Sequence, residues 1–191
     1  MAQRRGRLIV IAGPSGVGKG SVVKELLSRE PDGLVLSVSA TTRPPRPGEL
    51  DGRDYSFVSH DRFEEMAARG ALLEWAEVFG NKYGTPADFV DVQLANEKDV
   101  ILEIDVQGAR QIRDRVPNAI LILLEPPTLD ELARRLRGRG TESEEKIARR
   151  LAAAERELAE RDWFDHAVVN DDLQRASSQV AAIIDASHSH P

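Results

Sequence analysis

Eight residues near the start of the chain have the types and spacing of a phosphate-binding loop. Residues 13–20 read GPSGVGKG, in which Gly13, Gly18 and Lys19 fit the spacing G-x-x-x-x-G-K. Glycines allow backbone N–H groups to turn inward around phosphate oxygens, and a following helix directs its N-terminus at the same anion. Lys19 adds a mobile positive charge for the outer phosphates. The segment therefore predicts a nucleoside triphosphate site rather than a glycine-rich turn with a chance lysine.

The residue after Lys19 departs from the usual form of this loop. Ser or Thr commonly stands there and gives its hydroxyl to magnesium, but this chain has Gly20, and Ser21 follows one residue later. Ser21 is one helical step further on, rotated by about 100°, so its hydroxyl is not expected to replace the missing ligand. We therefore predict Mg²⁺ held by nucleotide phosphates and water, with no direct metal ligand from the protein.

A second cluster of chemical interest lies in a proline-stiffened segment. Arg43 and Arg46 stand three residues apart in RPPRP, and two guanidinium groups could grip one phosphate with charge-assisted hydrogen bonds. Tyr55 and Tyr83 could add hydroxyl donors to that phosphate. From the residues alone the alternatives stay open: solvated loop arginines, tyrosines at the edge of the core, or a polyproline ligand for another protein.

The elements that must position these residues follow from the hydrophobic pattern. Short apolar runs separated by helical patterns predict a parallel sheet with helices on both faces. The predicted strands are 8–12, 100–104, 119–124 and 167–169, and the predicted helices are 21–28, 107–115, 129–137, 144–161 and 173–186. Residues 35–79 are more strand-like and turn-rich, with one helical segment at 61–69. This segment predicts a smaller mixed subdomain inserted into the α/β core.

The helix predicted at 144–161 carries a further basic cluster. Thr141 and Glu144 have capping-box spacing for its start, and an apolar stripe follows along one face. Arg139 precedes this helix between two glycines, which suits a hinge, and Arg150 lies on it. Solvated helix charge is the expectation for the neighbouring arginines Arg134, Arg135, Arg137 and Arg149. The stripe consists of Ile147, Leu151, Ala154 and Leu158.

Composition narrows the class of protein. The 191 residues suit one domain, and the formal net charge of −6 argues against a general nucleic-acid binder. The absence of cysteine excludes disulfides and thiolate chemistry, and it fits a reducing cytoplasm. No run approaches the roughly 18 consecutive apolar residues of a membrane span, so a membrane partner is not expected.

Several segments together resemble the guanylate kinases. GPSGVGK, SVSATTRPPRPGE, DYSFV, LLEWAEV, GNKYGTP, LEIDVQGA, RGRGTE and VVND occur in the order seen in that family, over nearly the whole chain. The resemblance implies an α/β fold: a phosphate-loop NTPase core with a parallel sheet, an inserted mixed GMP-binding subdomain and a helical lid. The corresponding expectation is one domain over 1–191, with core 1–34, 96–138 and 162–187, subdomain 35–95 and lid 139–161.

The same resemblance implies a reaction and its residues. The expected activity transfers the γ-phosphoryl of ATP to GMP, giving GDP and ADP in purine nucleotide metabolism, with Mg²⁺ as cofactor and the two nucleotides as partners. It places Lys19, Arg43, Arg139 and Arg150 at the chemistry. The residues implied at ATP are Gly13, Pro14, Ser15, Gly16, Val17, Gly18, Lys19, Gly20, Ser21 and Asn170. Those implied at GMP are Ser39, Arg43, Arg46, Tyr55, Glu74, Tyr83, Thr85, Glu103 and Asp105.

Glu74 is the residue expected to select the base. Guanine offers N1–H and an exocyclic amino group, and a carboxylate accepts both, whereas adenine presents an acceptor at N1. A site built for such donors discriminates strongly against a base that lacks them. Thr85 is expected to reach the base with its hydroxyl, and Glu103 stands where the family can carry Asp.

Three alternative functions can be weighed against the sequence. A kinase for another acceptor is disfavoured by Glu74 and the complete SATTRPPR segment. A non-catalytic scaffold module is disfavoured because Lys19 and the expected arginines are all present. A phosphate-loop GTPase switch would need an N-K-x-D motif, which VVND is not.

Overall fold

The computed structural model describes residues 5–29, 33–138 and 143–188. In chain order the elements are β1 (Leu8–Ala12), α1 (Lys19–Arg29), β2 (Leu34–Leu36), β3 (Ala40–Thr41), β4 (Ser56–Phe57), α2 (His60–Ala68), β5 (Leu72–Val78), β6 (Asn81–Pro86), α3 (Ala87–Ala95), β7 (Asp99–Glu103), α4 (Val106–Arg115), β8 (Ile120–Glu125), α5 (Leu129–Gly138), α6 (Glu144–Leu158), a 3₁₀ turn (Arg161–Trp163), β9 (His166–Val169) and α7 (Leu173–His188).

Five strands form the parallel sheet that the apolar runs predict. Their order is β2-β7-β1-β8-β9, and every neighbouring pair is parallel. Alternate residues of β1 enter two different cores because successive strand side chains point to opposite faces. Val10 packs with the helices α3 and α4, and Ile9 packs with α1 and α7. The predicted α/β core is thereby confirmed.

The inserted region forms a second, mixed sheet with the order β4-β3-β6-β5. The strands β5 and β6 make its antiparallel hairpin, and α2 covers one face. Phe63 of α2 is fully buried there, with its ring edge-on to Trp75 at 6.2 Å between centroids. The second sheet is joined to the main core through α4, where Arg115 donates to the carbonyl oxygens of Leu72 and Leu73.

Three details differ from the sequence expectations. The strand β2 pairs with β7 in the core sheet, so the expected subdomain boundary at residue 35 cuts a core strand. The hydrophobic pattern of the sequence does not distinguish the three residues of β2 from the extended segment that follows them. The helix α3 was not predicted, because it begins after Pro86 without a capping side chain. Its Val90 and Leu94 join the core beneath β7.

The third difference concerns α6, which was predicted to run to residue 161 with Thr141 in a capping box. The N-cap is Ser143, whose Oγ accepts from the N–H of Lys146, and the helix ends at Leu158. Ser143 directly precedes the first helical residue, which is the position a cap must occupy. Thr141 lies outside the described residues. The predicted apolar stripe is confirmed, with Ile147 and Ala154 buried.

Candidate active site

The phosphate loop joins β1 to α1 and is shaped by glycine. Gly13, Gly16 and Gly18 have φ of 141°, 94° and 101°, a region that other residues avoid. A Cβ on Gly13 would lie 2.4 Å from the carbonyl oxygen of Leu124, and a Cβ on Gly18 would lie 2.4 Å from Nδ2 of Asn170. The loop can therefore take this form only with glycine at these positions.

Lys19 is the first residue of α1, where the helix dipole and unpaired N–H groups favour an anion. Its ammonium donates to the carbonyl oxygen of Gly13 at 2.6 Å. The lysine thus lies folded along the loop, at the mouth of the concavity that the glycines form. A lysine ammonium and a helix N-terminus therefore lie together where the sequence predicts the phosphates of a nucleoside triphosphate.

Two side chains brace the loop from behind. The Asn170 amide is buried and donates to the carbonyl oxygen of Val17 at 2.8 Å. Arg135 of α5 donates to the carbonyl oxygens of Val17 at 3.2 Å and Asn170 at 2.9 Å. The expectation that Arg135 is a solvated helix charge is therefore wrong, since its guanidinium ties α5 to the loop. The Asn170 side chain holds the loop's backbone and does not line the cleft in front of it.

A cleft of about 900 Å³ connects this loop to the second sheet. Its walls include most of the residues singled out from the sequence, which the fold brings together from segments far apart in the chain. Pro14, Val17, Thr85 and Asn170 are not on its walls, and Arg139 lies outside the described residues. The predicted residues on the walls are Gly13, Ser15, Gly16, Gly18, Lys19, Gly20, Ser21, Ser39, Arg43, Arg46, Tyr55, Glu74, Tyr83, Glu103, Asp105 and Arg150.

Arg43 is held in place before any phosphate arrives. Arg43 is 8% exposed, and its guanidinium donates to Glu49 Oε1 at 2.9 Å and to the carbonyl oxygen of Pro44 at 2.7 Å. Burial is the largest single effect and acts to lower its pKa, but the hydrogen bonds and charges of Glu49 and Tyr83 together outweigh it, so the pKa is raised. Glu49 Oε2 also accepts from the backbone N–H of Arg46 at 2.7 Å. Glu49, which the sequence analysis missed, therefore organises both arginines.

The two predicted tyrosines lie together beside this arginine. The rings of Tyr55 and Tyr83 are 5.9 Å apart, edge to face, and the Arg43 guanidinium lies 5.2 Å from the Tyr55 ring centroid. Burial raises the pKa of Tyr55 to about 12, with the nearby Glu103 carboxylate adding to the effect. Tyr55 therefore stays a phenol and can donate its proton to a phosphate oxygen at neutral pH.

Glu74 is the least exposed polar residue on the walls of the cleft. It is 2% exposed, and its Oε1 accepts a hydrogen bond from the Thr85 hydroxyl at 2.7 Å. Burial raises the pKa of Glu74 to about 7, and the neighbouring Asp105 adds to the effect. Thr85 is fully buried and its hydroxyl positions this carboxylate, while its expected contact with the base stays a prediction.

A glycine makes room for that carboxylate. A Cβ on Gly108 of α4 would lie 2.4 Å from Glu74 Oε2. The backbone N–H of Gly108 donates to Asp105 Oδ1 at 2.8 Å, so that Asp105 caps the N-terminus of α4. Nothing in the sequence pattern marks Gly108, because its role depends on a residue in a different sheet. Without it Glu74 could not point into the cleft at this depth.

Carboxylates also face the phosphate side of the cleft. Burial raises the pKa of Asp105, whereas the charge of the Lys19 ammonium acts to lower it. Glu157 of α6 lines the cleft, and its Oε2 is buried with no hydrogen-bond partner among the described residues. Burial raises the pKa of Glu157, while the Lys19 ammonium lowers it. No group of three acidic or histidine side chains in the described part of the chain could bind a metal directly.

These acceptors nevertheless fit a hydrated cation. The buried Glu157 Oε2, together with Asp105 and Glu103 on the walls of the same cleft, can accept hydrogen bonds from metal-bound water. The prediction that Mg²⁺ takes no direct ligand from the protein is compatible with this arrangement.

The helix α6 closes the cleft from the far side with its predicted arginine. Arg150 donates from Nη1 to the Ser15 hydroxyl at 2.7 Å, which places its guanidinium over the phosphate loop. Lys146 and Arg149 line the same wall. Arg137 pairs with Glu144, and Arg134 is the most exposed arginine of this group, as expected of solvated charges.

A phosphate loop on one side and a guanidinium pair with a buried carboxylate on the other define a phosphate-loop nucleotide kinase. The family model for guanylate kinase matches residues 5–187. The chain is 52% identical to the guanylate kinase of Rubrobacter xylanophilus over 181 residues, covering 95% of this chain and 94% of that one. It is 55% identical to that of Gloeobacter violaceus over 178 residues, covering 93% and 86%. The chain therefore belongs to the guanylate kinase family.

A solved structure agrees with this assignment. The crystal structure of guanylate kinase from Anaplasma phagocytophilum superposes with a TM-score of 0.80 at 30% identity, covering 96% of this chain and 86% of that one. The resemblance stated from the sequence is thus confirmed at the level of both family and fold. Among the described helices, none has the length and apolarity needed to cross a membrane.

Proposed function

We infer that the chain transfers the γ-phosphoryl group of ATP to GMP, giving GDP and ADP. The observation that carries this inference is the buried Glu74 carboxylate, which lies in the same cleft as the phosphate loop. Its two oxygens suit the two adjacent donors of guanine, and adenine would leave a buried acceptor facing an acceptor. Membership of the guanylate kinase family supports the same conclusion.

The acceptor phosphate is the nucleophile in the reaction that we propose. Arg43 and Arg46 hold it, with Tyr55 and Tyr83 donating from their hydroxyls. A phosphate oxygen of GMP attacks the γ-phosphorus while the bond to the bridging oxygen of ADP breaks. Because that attacking oxygen is already anionic, no general base is required, and the protein's task is alignment and neutralisation of charge.

The donor phosphates are held by the loop amides and Lys19. Arg150 reaches over the loop from α6 and neutralises charge on the transferring group. Arg139, which lies outside the described residues, is proposed for the same task on the strength of the sequence alone. Mg²⁺, when bound with ATP, would neutralise the β- and γ-oxygens. Glu103, Asp105 and Glu157 would accept hydrogen bonds from its waters.

A cytoplasmic location is proposed from the cysteine-free sequence.

One assay tests this function against its rivals. The purified chain is given ATP and Mg²⁺ with GMP, AMP, UMP or CMP, and ADP formation is followed. We expect kcat/KM for GMP to exceed that for the other three by roughly 10²-fold or more, the discrimination of a site that pairs with donors. Equal rates with AMP would contradict the role of Glu74. No turnover with any acceptor would support a non-catalytic module.

A further inference from the structure

The hairpin between β5 and β6 ends in a turn that its sequence opposes. Val78 and Asn81 are the last paired residues, so the loop has only two residues, Phe79 and Gly80. Their φ values are 50° and 78°. Positive φ at both central positions is the pattern of a type I′ turn, in which Asn or Asp before Gly is strongly preferred. Phenylalanine at the first position is unfavourable for the backbone.

The core does not explain this phenylalanine. Phe79 is 48% exposed, so burial of its ring contributes little to stability. Only one other residue besides glycine in the described part of the chain has a positive φ, namely Glu97 beyond the end of α3. Glu97 is not on the walls of the cleft, whereas Phe79 is. A strained, exposed aromatic residue at the edge of the cleft calls for a contact outside its own hairpin.

The ring of Phe79 makes that contact with Arg150 of α6. The Arg150 guanidinium carbon lies 4.5 Å from the centroid of the Phe79 ring, within the range of a cation–π interaction. The same guanidinium donates to the Ser15 hydroxyl of the phosphate loop at 2.7 Å. One cation thus joins three parts of the protein: the acceptor hairpin, α6 and the phosphate loop.

We propose that Phe79 is a positioning residue, whose ring holds the Arg150 guanidinium over the phosphate loop. Phe79 belongs to the sheet that carries the acceptor site, so the contact ties that sheet to the arginine at the transferring phosphoryl group. This assignment rests on the proposed function, in which Arg150 neutralises the transferring group. The strain in the turn is retained because the ring must project from this tip toward α6.

The turn offers a variant that separates backbone from ring. Asn suits a positive φ, so Phe79→Asn relieves the strained position and removes the ring. We expect the midpoint of thermal unfolding to stay the same or to rise, while kcat for GMP falls about 3- to 10-fold, the scale of one cation–π contact. KM for GMP should change less than about 2-fold, because the loss is in the transition state.

Two further variants sharpen the test. Phe79→Tyr keeps an aromatic face and should retain nearly full kcat, whereas Phe79→Leu should behave like the Asn variant. Phe89→Ala is the matched control, because Phe89 is a similarly exposed phenylalanine, 40% exposed, on α3. It should leave kcat unchanged.

A double-mutant cycle with Arg150→Ala completes the experiment. In that background Phe79→Asn should lower kcat by less than about 1.5-fold, since residues that act as a unit are not additive. The proposal is overturned if Phe79→Asn keeps wild-type kcat, if Leu works as well as Tyr, or if the effects of the two substitutions multiply. A wild-type chain inactive toward GMP would instead refute the proposed function, which a separate assay reveals.

Discussion

The two halves of the cleft are built differently, and in the reaction that we propose they bind phosphate by different means. The phosphate loop uses backbone N–H groups, shaped by glycines within one short stretch of chain. The acceptor half uses side chains that come from β-strands and loops between Ser39 and Asp105. The phosphate loop is therefore a local feature made of main-chain groups. The acceptor half is assembled from side chains, many of them charged, that are far apart in the sequence.

This difference teaches where each half is vulnerable. Gly13, Gly16 and Gly18 of the loop tolerate little added volume, because they have positive φ and lie against backbone or buried side-chain atoms. The acceptor half tolerates volume better but depends on charge states and on partners such as Glu49 and Thr85. Steric changes should therefore damage the donor half, and isosteric or protonation changes should damage the acceptor half.

The largest effect is expected from a steric change in the loop. In Gly18→Ala the new Cβ would lie 2.4 Å from Asn170 Nδ2, at a backbone φ of 101°. Displacement of the loop should lower kcat/KM for ATP on the order of 10²- to 10³-fold, since misplacement by about 1 Å alone can cost 10²-fold. Steady-state kinetics with varied ATP measure this.

Gly70→Ala is the matched control for that variant. Gly70 also has a positive φ, of 67°, but nothing lies within 4 Å of its added Cβ. It should lower the unfolding midpoint without changing kcat/KM for ATP. If Gly18→Ala were as mild as Gly70→Ala, the donor half would not depend on a rigid loop.

An isosteric change should break the acceptor half. Glu74→Gln keeps the shape but replaces one acceptor by an NH₂ donor, so it cannot accept both guanine donors. We expect a loss of roughly 10²-fold or more in kcat/KM for GMP, with ATP binding unchanged. Glu77→Gln is the control, because Glu77 lies on the same strand with an exposed side chain. Wild-type GMP kinetics in Glu74→Gln would remove Glu74 from the site.

The contrast between the halves also explains what the sequence could predict. The loop, its strand and its helix are contiguous, so spacing alone located them. The family resemblance supplied the roles of Arg43, Glu74 and Asp105, because local patterns alone leave surface charge open as an alternative for each. Arg135 was misjudged because its acceptor on Val17 is 118 residues away in the chain. Gly108 was missed for the same reason, since only the folded chain shows what its missing side chain allows.

The acceptor half should also respond to pH, through the titration of Glu74. The pKa of Glu74 is about 7 in the free protein, and guanine needs the ionised carboxylate, so binding must release a proton below that pH. Affinity for GMP should therefore fall as pH drops from 8 to 6, approaching tenfold per unit below pH 7.

Titration of GMP binding by calorimetry in two buffers of different ionisation enthalpy measures the released proton. Glu74→Gln is the control, because it lacks the titrating group but retains the ionisation of the substrate's own phosphate. If its pH dependence equalled that of the wild type, Glu74 would not be the group that titrates.

The smallest effects are expected at Gly20 and Ser21, where the loop departs from its usual form. Gly20 lies in α1 without a positive φ, and a Cβ there would lie 3.4 Å from Glu103 Oε2, close to ordinary contact. Gly20→Ser should therefore be accepted, with its new hydroxyl near the Glu103 carboxylate. Ser21→Ala should be equally mild if Mg²⁺ takes its ligands from phosphates and water. We expect less than about a 3-fold change in kcat for either variant, compared with losses near 10²-fold when a group that contacts the reacting atoms is removed.

Affinity for ATP should be measured with and without Mg²⁺, since a lost metal ligand would weaken only the metal complex. A selective loss of Mg²⁺-ATP affinity in a folded Ser21→Ala protein would show that Ser21 binds the metal directly, and the donor half would then depend on a side chain after all.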